Sequence, residues 1–205
     1  KNFNAESLSV KASGETACVR VIAAKDGEAF NRCLKEKLTV ENGEVQADVS
    51  RDILKMTIIE RCGRYGDMTN GFVNGFCLKE GAIATSYSVP SNNIVTVGTN
   101  KEDMACAVEC LARNQGGFTV VKNGKVLAEV KLPIGGIMSA EPYEELLKAV
   151  EYAKEAAHSL GCPLTQPFFT MSQTVLSSLP ELGFTDRGIV DVKAGKIVDV
   201  FVEKE

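Results

Sequence analysis

The pattern of apolar and polar positions divides this chain into short strands and two long helices. Residues 17–23 alternate as a strand does, with Val19 and Val21 on one face. Residues 52–60 become more apolar and β-branched toward their end, which predicts a buried strand. The segment 28–40 stays ambiguous, because its apolar residues recur at near-helical spacing while its last residues favour a strand that turns back at an Asn-Gly pair.

The stretch 60–99 has a different pattern, because glycines separate its short apolar runs. Glycine tolerates positive φ, so this pattern predicts short strands joined by tight turns. A polar cluster lies between two of the apolar runs. Its members are Ser86, Ser88, Ser91, Asn92 and Asn93.

Two segments have helical periodicity. The first predicted helix covers 101–114, with Thr99 as its N-cap and an acidic residue three positions later. The second covers 142–160, with Ser139 as a cap and Pro142 in its first turn. This second helix has an apolar stripe, which we expect to face the protein core. Its members are Tyr143, Leu146, Leu147, Val150, Ala153, Ala157 and Leu160.

The rest of the pattern predicts two hairpins, at 118–130 and 186–202, with a loop through 167–170 and a short helix at 174–179 between them. Hairpins pair antiparallel, while the strand–helix–strand unit 94–121 permits one parallel neighbour. The predicted fold class is therefore α+β: a mixed, largely antiparallel β-sheet with two main helices packed on it.

Composition places this chain among ordinary globular proteins. Its 205 residues are 44% hydrophobic and 24% charged, so we expect a single domain over 1–205. The net charge of −4 gives no reason to expect nucleic acid or a membrane surface as a partner, and no apolar run is long enough to span a bilayer.

Seven cysteines without a Cys-x-x-Cys pair favour reduced thiols and a cytoplasmic location. Because the chain begins with Lys1, we expect it to be a piece of a longer protein.

The residues offer little for a conventional hydrolytic site. The one histidine, His158, is either a general base or a favourable cation at the end of the second helix. We therefore predict no catalytic residue and no metal ligand in this chain. Glu60 and Arg61 form either a ligand clamp or an ion pair. The polar groups of Ser86, Ser91, Asn92 and Asn93 either bind a small ligand or satisfy their own loop.

Several motifs, taken together and in order, resemble the C-terminal domain of prokaryotic adenine deaminases of the amidohydrolase superfamily. The resemblance covers nearly the whole chain. The segments that carry it are Asp52-Ile-Leu-Lys55, Ile59-Glu-Arg61, 71–79, 81–86, 93–100, 132–139, 167–172 and 182–191.

The resemblance implies an enzyme that hydrolyses adenine to hypoxanthine and ammonia. It also implies a barrel domain, N-terminal to Lys1, that holds a divalent metal of the Mn or Fe type. We expect this chain to carry no cofactor and to be inactive alone. The partners that the resemblance suggests are a purine, the barrel and a second copy in a homo-oligomer.

The chain departs from the family pattern within the 60–99 stretch. The family has Glu-Arg-His where this chain has Glu60-Arg61-Cys62. The family also has His-Asp-Ser-His-Asn where this chain has Val89-Pro90-Ser91-Asn92-Asn93. Three hypotheses stay open: an accessory domain of an adenine deaminase-like hydrolase, a non-catalytic domain that binds a purine or another small ligand, and an oligomerisation module.

Overall fold

The computed structural model describes residues 3–202, which form twelve strands and three α-helices. None of these helices is long and apolar enough to cross a membrane. The strands are β1 (Thr16–Ala23), β2 (Arg32–Glu41), β3 (Glu44–Val45), β4 (Leu54–Ile59), β5 (Met68–Asn74), β6 (Ala82–Thr85), β7 (Ile94–Gly98), β8 (Gly117–Lys122), β9 (Lys125–Lys131), β10 (Leu182–Thr185), β11 (Gly188–Asp191) and β12 (Lys196–Val198). The helices are α1 (Lys101–Arg113), α2 (Tyr143–Ser159) and α3 (Pro167–Thr174).

Nine strands form one sheet in the order β3-β2-β1-β5-β4-β7-β6-β8-β9, and β10, β11 and β12 form a second, smaller sheet. Neighbours pair antiparallel except β1 and β5, where Val21 lies opposite Phe72 in parallel register. This confirms the predicted mixed, largely antiparallel α+β fold. The strand–helix–strand unit at 94–121 does not supply the parallel pair, because β6 inserts between β7 and β8 and pairs antiparallel with both.

The large sheet is covered on both faces. Ile83 of β6 packs into the main core with α2, α3 and the small sheet. Its neighbours Ala82 and Ala84 point the other way and pack against α1. The alternation follows from the two-residue period of a strand, and it explains why β6 and β7 are buried at every position.

The ambiguous segment 28–40 becomes a strand from residue 32 onward, and residues 28–31 precede it. Residues Arg32–Glu41 pair along their length with β1, and then turn at Asn42 and Gly43 so that Val45 pairs with Val40. The Asn-Gly pair therefore confirms the predicted hairpin. The near-helical spacing of the apolar residues was coincidental, because pairing with β1 decides the conformation.

Helix α1 begins where the periodicity places it, but the predicted cap is wrong. Asn100, not Thr99, is the N-cap: its Oδ1 accepts the Asp103 N–H at 2.7 Å. The buried carboxylate of Asp103 in turn accepts the N–H groups of Asn123 and Gly124 at 3.2 and 2.7 Å. These hydrogen bonds connect the first turn of α1 to the turn between β8 and β9.

Helix α2 differs from its prediction in two respects. Pro142 is the residue before the helix, and the Ser139 hydroxyl accepts the N–H of Glu141 instead of capping it. The predicted stripe is buried only in its second half. Ala153, Ala157 and Leu160 belong to the core, whereas Tyr143 is 71% exposed and Leu147 is 45% exposed.

Two predictions near the C-terminus are wrong. The segment predicted as a loop is α3, and 174–179 is not a helix. Pro167 occupies the first turn of α3, where no backbone donor is needed, while Phe168 and Met171 pack into the main core. The segment predicted as a strand from residue 186 instead begins with a turn, because β10 ends at Thr185 and β11 starts at Gly188.

A buried ion network joins the β2–β3 hairpin to the centre of the sheet. The Glu44 carboxylate accepts hydrogen bonds from Lys55 Nζ at 2.7 Å and from Lys101 Nζ at 2.8 Å. The side chains of Glu44 and Lys55 are only 8% and 5% exposed. Desolvation raises the pKa of Glu44, but the hydrogen bonds from Lys101 and Lys55 outweigh it and lower the pKa from 4.5 to about 2.

We predict that Glu44→Gln lowers the free energy of unfolding at pH 7 by roughly 3–5 kcal/mol, because it leaves Lys55 buried without a counter-ion. The lowered pKa of Glu44 stabilises the fold above about pH 4.5, and this contribution is lost as the pH falls toward about 2. Urea unfolding between pH 7 and pH 3 measures both effects. Glu41→Gln, on the exposed end of the same hairpin, is the control and should change stability by less than about 0.5 kcal/mol. Equal effects of the two substitutions would contradict the role of Glu44.

Candidate functional site

Four loops meet at one end of the large sheet, which we call the loop end. The strand register brings them together: Ile59 lies opposite Ile94, and Thr85 lies opposite both Val95 and Phe118. The loops are 60–67, 86–93, 132–138 and the turn at 186–187. All six predicted ligand residues lie in two of them, so the fold does gather these residues.

Arg61 ties two of these loops together. Its Nε donates to the Asn92 carbonyl at 2.9 Å, and its Nη2 donates to the Gly135 carbonyl at 2.7 Å. Its side chain lies so close to Gly136 that a Cβ there would come within 2.5 Å of Nη1. Within residues 3–202 Arg61 makes no salt bridge with Glu60, so of the two alternatives for this pair the ion pair does not form.

Ser86 is completely buried beneath the same contact. Its hydroxyl donates to the Gly136 carbonyl at 2.6 Å and accepts the Gly117 N–H at 2.8 Å. Gly116 must also approach closely, because a Cβ there would lie 2.5 Å from the Gly136 Cα. The Ser86 hydroxyl has thus used its donor on the backbone, and it holds β8 and the loop after β9 in place.

The loop 86–93 satisfies much of its own backbone. Ser88 donates its hydroxyl to the Asn93 carbonyl, and the Asn92 N–H donates back to the Ser88 carbonyl at 2.8 Å. Asn92 has a φ of 51°, in the left-handed region that asparagine tolerates. The Asn93 side chain accepts the Arg61 N–H and donates to Asp186 at 3.1 Å.

The side chains of Glu60, Ser91 and Asn92 lie outside this network, and the Asn92 Oδ1 is buried without a hydrogen-bond partner within residues 3–202. Glu60 Oε2 accepts the N–H groups of Tyr65 and Gly66 at 3.3 and 3.2 Å. Desolvation raises the pKa of Glu60, but these backbone donors outweigh it and lower the pKa, so the carboxylate is ionised at neutral pH. Ser91 is exposed at the tip of its loop.

Two cavities flank these loops. One, of about 350 Å³, lies beside Glu60 and Arg61 and is walled by the end of α1. The other is an open groove of about 610 Å³ beside the turn at 186–187, where the Arg187 guanidinium lies 5.1 Å from the centroid of the Tyr65 ring. The sequence reasoning left Gly136, Asp186 and Arg187 out of the site, although all three lie in the motifs that carry the resemblance.

The loop end supplies few groups for bond-breaking chemistry. In the described part of the chain, no three His, Cys, Asp or Glu side chains cluster as a metal site would require. His158 lies elsewhere, with its Nε2 at 2.9 Å from the Leu164 carbonyl, so it joins α2 to the loop that follows it. A carbonyl can only accept, so Nε2 carries the proton.

The sequence belongs to a known family. The family model described as "Adenine deaminase C-terminal domain" matches residues 28–196, so this chain is a member of that family. The match confirms the resemblance carried by the motifs.

Curated relatives support the same assignment. The chain is 41% identical over 204 residues to an adenine deaminase of Desulforamulus reducens, and the aligned part is 100% of this chain but 35% of that protein. An adenine deaminase of Brucella melitensis is 42% identical over 93% of this chain and 32% of its own length, and one of Dehalococcoides mccartyi is 39% identical over 97% and 34%. The chain thus spans about a third of the length of the curated relatives it matches.

We predict that Ser86→Ala and Ser91→Ala differ sharply in stability. Ser86→Ala leaves the buried N–H of Gly117 and the Gly136 carbonyl without a partner, which should lower the free energy of unfolding by about 1–3 kcal/mol. Ser91→Ala removes an exposed hydroxyl and should leave that free energy within about 0.5 kcal/mol. Urea unfolding of both variants measures the difference. A neutral Ser86→Ala would show that the hydroxyl does not hold the loops.

Proposed function

We propose that this chain is the C-terminal accessory domain of an adenine deaminase-like hydrolase, a single domain over 1–205. The observation that carries the proposal is the match to the C-terminal domain family by a chain that spans only a third of its deaminase relatives. The reaction of the whole protein would be the hydrolysis of adenine to hypoxanthine and ammonia. Seven free thiols favour a cytoplasmic location, because a reducing compartment keeps thiols unpaired.

In this proposal the chemistry belongs to an upstream barrel domain. That domain would hold a divalent metal of the Mn or Fe type, which activates the attacking water. The residues of this chain do not fit such a metal: where the family has histidine and aspartate, Cys62, Val89, Pro90 and Asn92 stand here. The contribution of this chain is to hold the loop end rigid beside the barrel domain, through Arg61, Ser86 and Asn93.

An exposed apolar segment gives the proposed partner a surface to pack on. Ile134, Met138, Tyr143 and Leu147 are between 45% and 71% exposed, and all lie within one stretch between the end of β9 and the second turn of α2. Apolar side chains concentrated in this way mark contact surfaces more often than single exposed residues do. We assign this segment to the contact with the barrel, and homo-oligomer formation through it is the competing assignment.

A chimera tests the proposal. This chain replaces the C-terminal third of the Desulforamulus reducens adenine deaminase, and ammonia release from adenine is measured with Mn²⁺ present. The isolated chain should release none, and the chimera should be active. Restoring the family residues with Cys62→His, Val89→His, Pro90→Asp and Asn92→His should raise kcat at least about tenfold if the loop end borders the reaction site. Ammonia release by the isolated chain, or folded chimeras that are all inert, would sink the proposal.

The same chimera tests the contact surface. Leu147→Asp should leave the thermal stability of the isolated chain unchanged, because the side chain is already exposed, but it should destabilise the chimera. Lys148→Asp, at the next exposed position of α2, is the control and should affect neither protein. If the isolated chain instead elutes as a dimer that Leu147→Asp converts to a monomer, the surface belongs to a second copy of this chain.

A further inference from the structure

A cavity of about 430 Å³ opens where the small sheet stops covering the first two strands of the large sheet. Ile22 of β1 and Cys33 of β2 lie opposite each other and pack into the main core with Ile189 of the small sheet. The next pair on the same face of these strands is Arg20 and Lys35. This pair lies beyond the covered part of the face, and both residues line the cavity.

Positive charge is concentrated on the wall of this cavity. Arg20 and Lys35 are direct cross-strand partners, and like charges in that position repel each other. Lys196, at the start of β12, adds a third cation. Within residues 3–202 none of the three cations forms a salt bridge. Among the described residues that line the cavity, Asp199 alone carries a carboxylate, and its Oδ1 accepts the Phe201 N–H at 2.9 Å.

The segment that follows β12 holds the Arg20 guanidinium in place. Arg20 Nη1 donates to the Asp199 carbonyl at 2.7 Å and also to the Phe201 carbonyl, and both of these residues line the cavity. The Arg20 N–H donates to the Val200 carbonyl at 2.7 Å. In the described part of the chain, Arg20 Nε and Nη2 make no hydrogen bond. A positioned guanidinium therefore keeps donors that an anion could use.

We propose that this cavity binds a small phosphomonoester, with its phosphate between Arg20, Lys35 and Lys196. The planar fork of arginine matches two phosphate oxygens, and a dianion offsets the repulsion between the cross-strand cations more fully than a monoanion does. The organic group of the ligand lies against Ile197, an apolar lining residue that is 59% exposed. The inference goes beyond the proposed function, because no residue of the loop end or of the exposed apolar segment lines this cavity.

Phenyl phosphate and phenyl sulfate form a matched pair for the test. They have the same shape, but at about pH 7.5 the phosphate carries a charge of about −2 and the sulfate about −1. Titration of the ¹⁵N-labelled 205-residue chain at constant ionic strength should show phenyl phosphate shifting the amide signals of Arg20, Lys35 and Ile197. We expect a dissociation constant of about 0.1–1 mM for phenyl phosphate and at least about tenfold weaker binding of phenyl sulfate.

Inorganic phosphate separates the phosphate from the organic group as the source of binding. It should shift the signals of Arg20 and Lys35 but bind at least about threefold more weakly than phenyl phosphate, because it has no ring to place against Ile197. Equal affinity for the two would assign the cavity to free phosphate and would overturn its assignment to a phosphomonoester.

Two variants locate the site. Lys35→Gln and Lys196→Gln each remove one exposed cation and should weaken phenyl phosphate binding at least about fivefold. Lys35→Gln also removes a like-charge pair, so it should not lower the urea midpoint of unfolding, and weaker binding would not reflect loss of the fold. Lys125→Gln makes the same change of net charge at an exposed position of β9, outside the cavity, and should leave the affinity within about twofold.

Three further results would overturn the proposal: no shift of these signals up to about 10 mM phenyl phosphate, equal affinity for phenyl sulfate, or a loss of affinity in Lys125→Gln as large as in Lys35→Gln. The last result would show a general effect of net charge instead of a site. None of these results bears on the proposed function, because the activity of the chimera is measured independently of binding to this cavity.

Discussion

The loop end depends on one close approach, at Gly136. The Arg61 side chain packs on this residue from one side, the buried Ser86 hydroxyl donates to its carbonyl, and Gly116 lies against its Cα. A side chain at Gly136 or Gly116 would fall within 2.5 Å of a neighbouring atom, and both glycines have positive φ. Three separate segments of the chain are therefore fixed relative to one another by contacts that only glycine permits.

This constraint changes how the polar residues of the 60–99 stretch are understood. Arg61, Ser86 and Asn93 resemble ligand-binding groups by type, but the hydrogen bonds that their side chains donate go to the loops themselves. At Cys62, Val89, Pro90 and Asn92 the resemblance implies histidine or aspartate, which this chain does not have. The framework of the loop end is thus built from polar contacts among its own loops.

Much of the fold could be predicted from local pattern, and the failures have physical causes. The two-residue period identified β1, the apolar and β-branched composition identified β4, and the 3.6-residue period identified α1 and α2 to within a residue. Thr99 and Asn100 are both competent caps, and only the approach of the chain decides between them. Helix α3 was missed because its eight residues are too few for a clear period. The candidate site residues do lie together at one end of the sheet, but their hydrogen bonds could not be predicted, because the bond from Arg61 to Gly135 joins residues 74 positions apart and leaves no local signal.

Amide hydrogen exchange at Gly117 tests most directly whether the loop end is a rigid framework. This N–H is bonded to the Ser86 hydroxyl rather than to a neighbouring strand, so its protection reports on the loops and not on the sheet. If the close approach at Gly136 holds, the Gly117 amide should exchange as slowly as the amide of Val97 in the centre of the sheet, because both then open only with global unfolding. Exchange as fast as that of the exposed Gly63 would contradict the account.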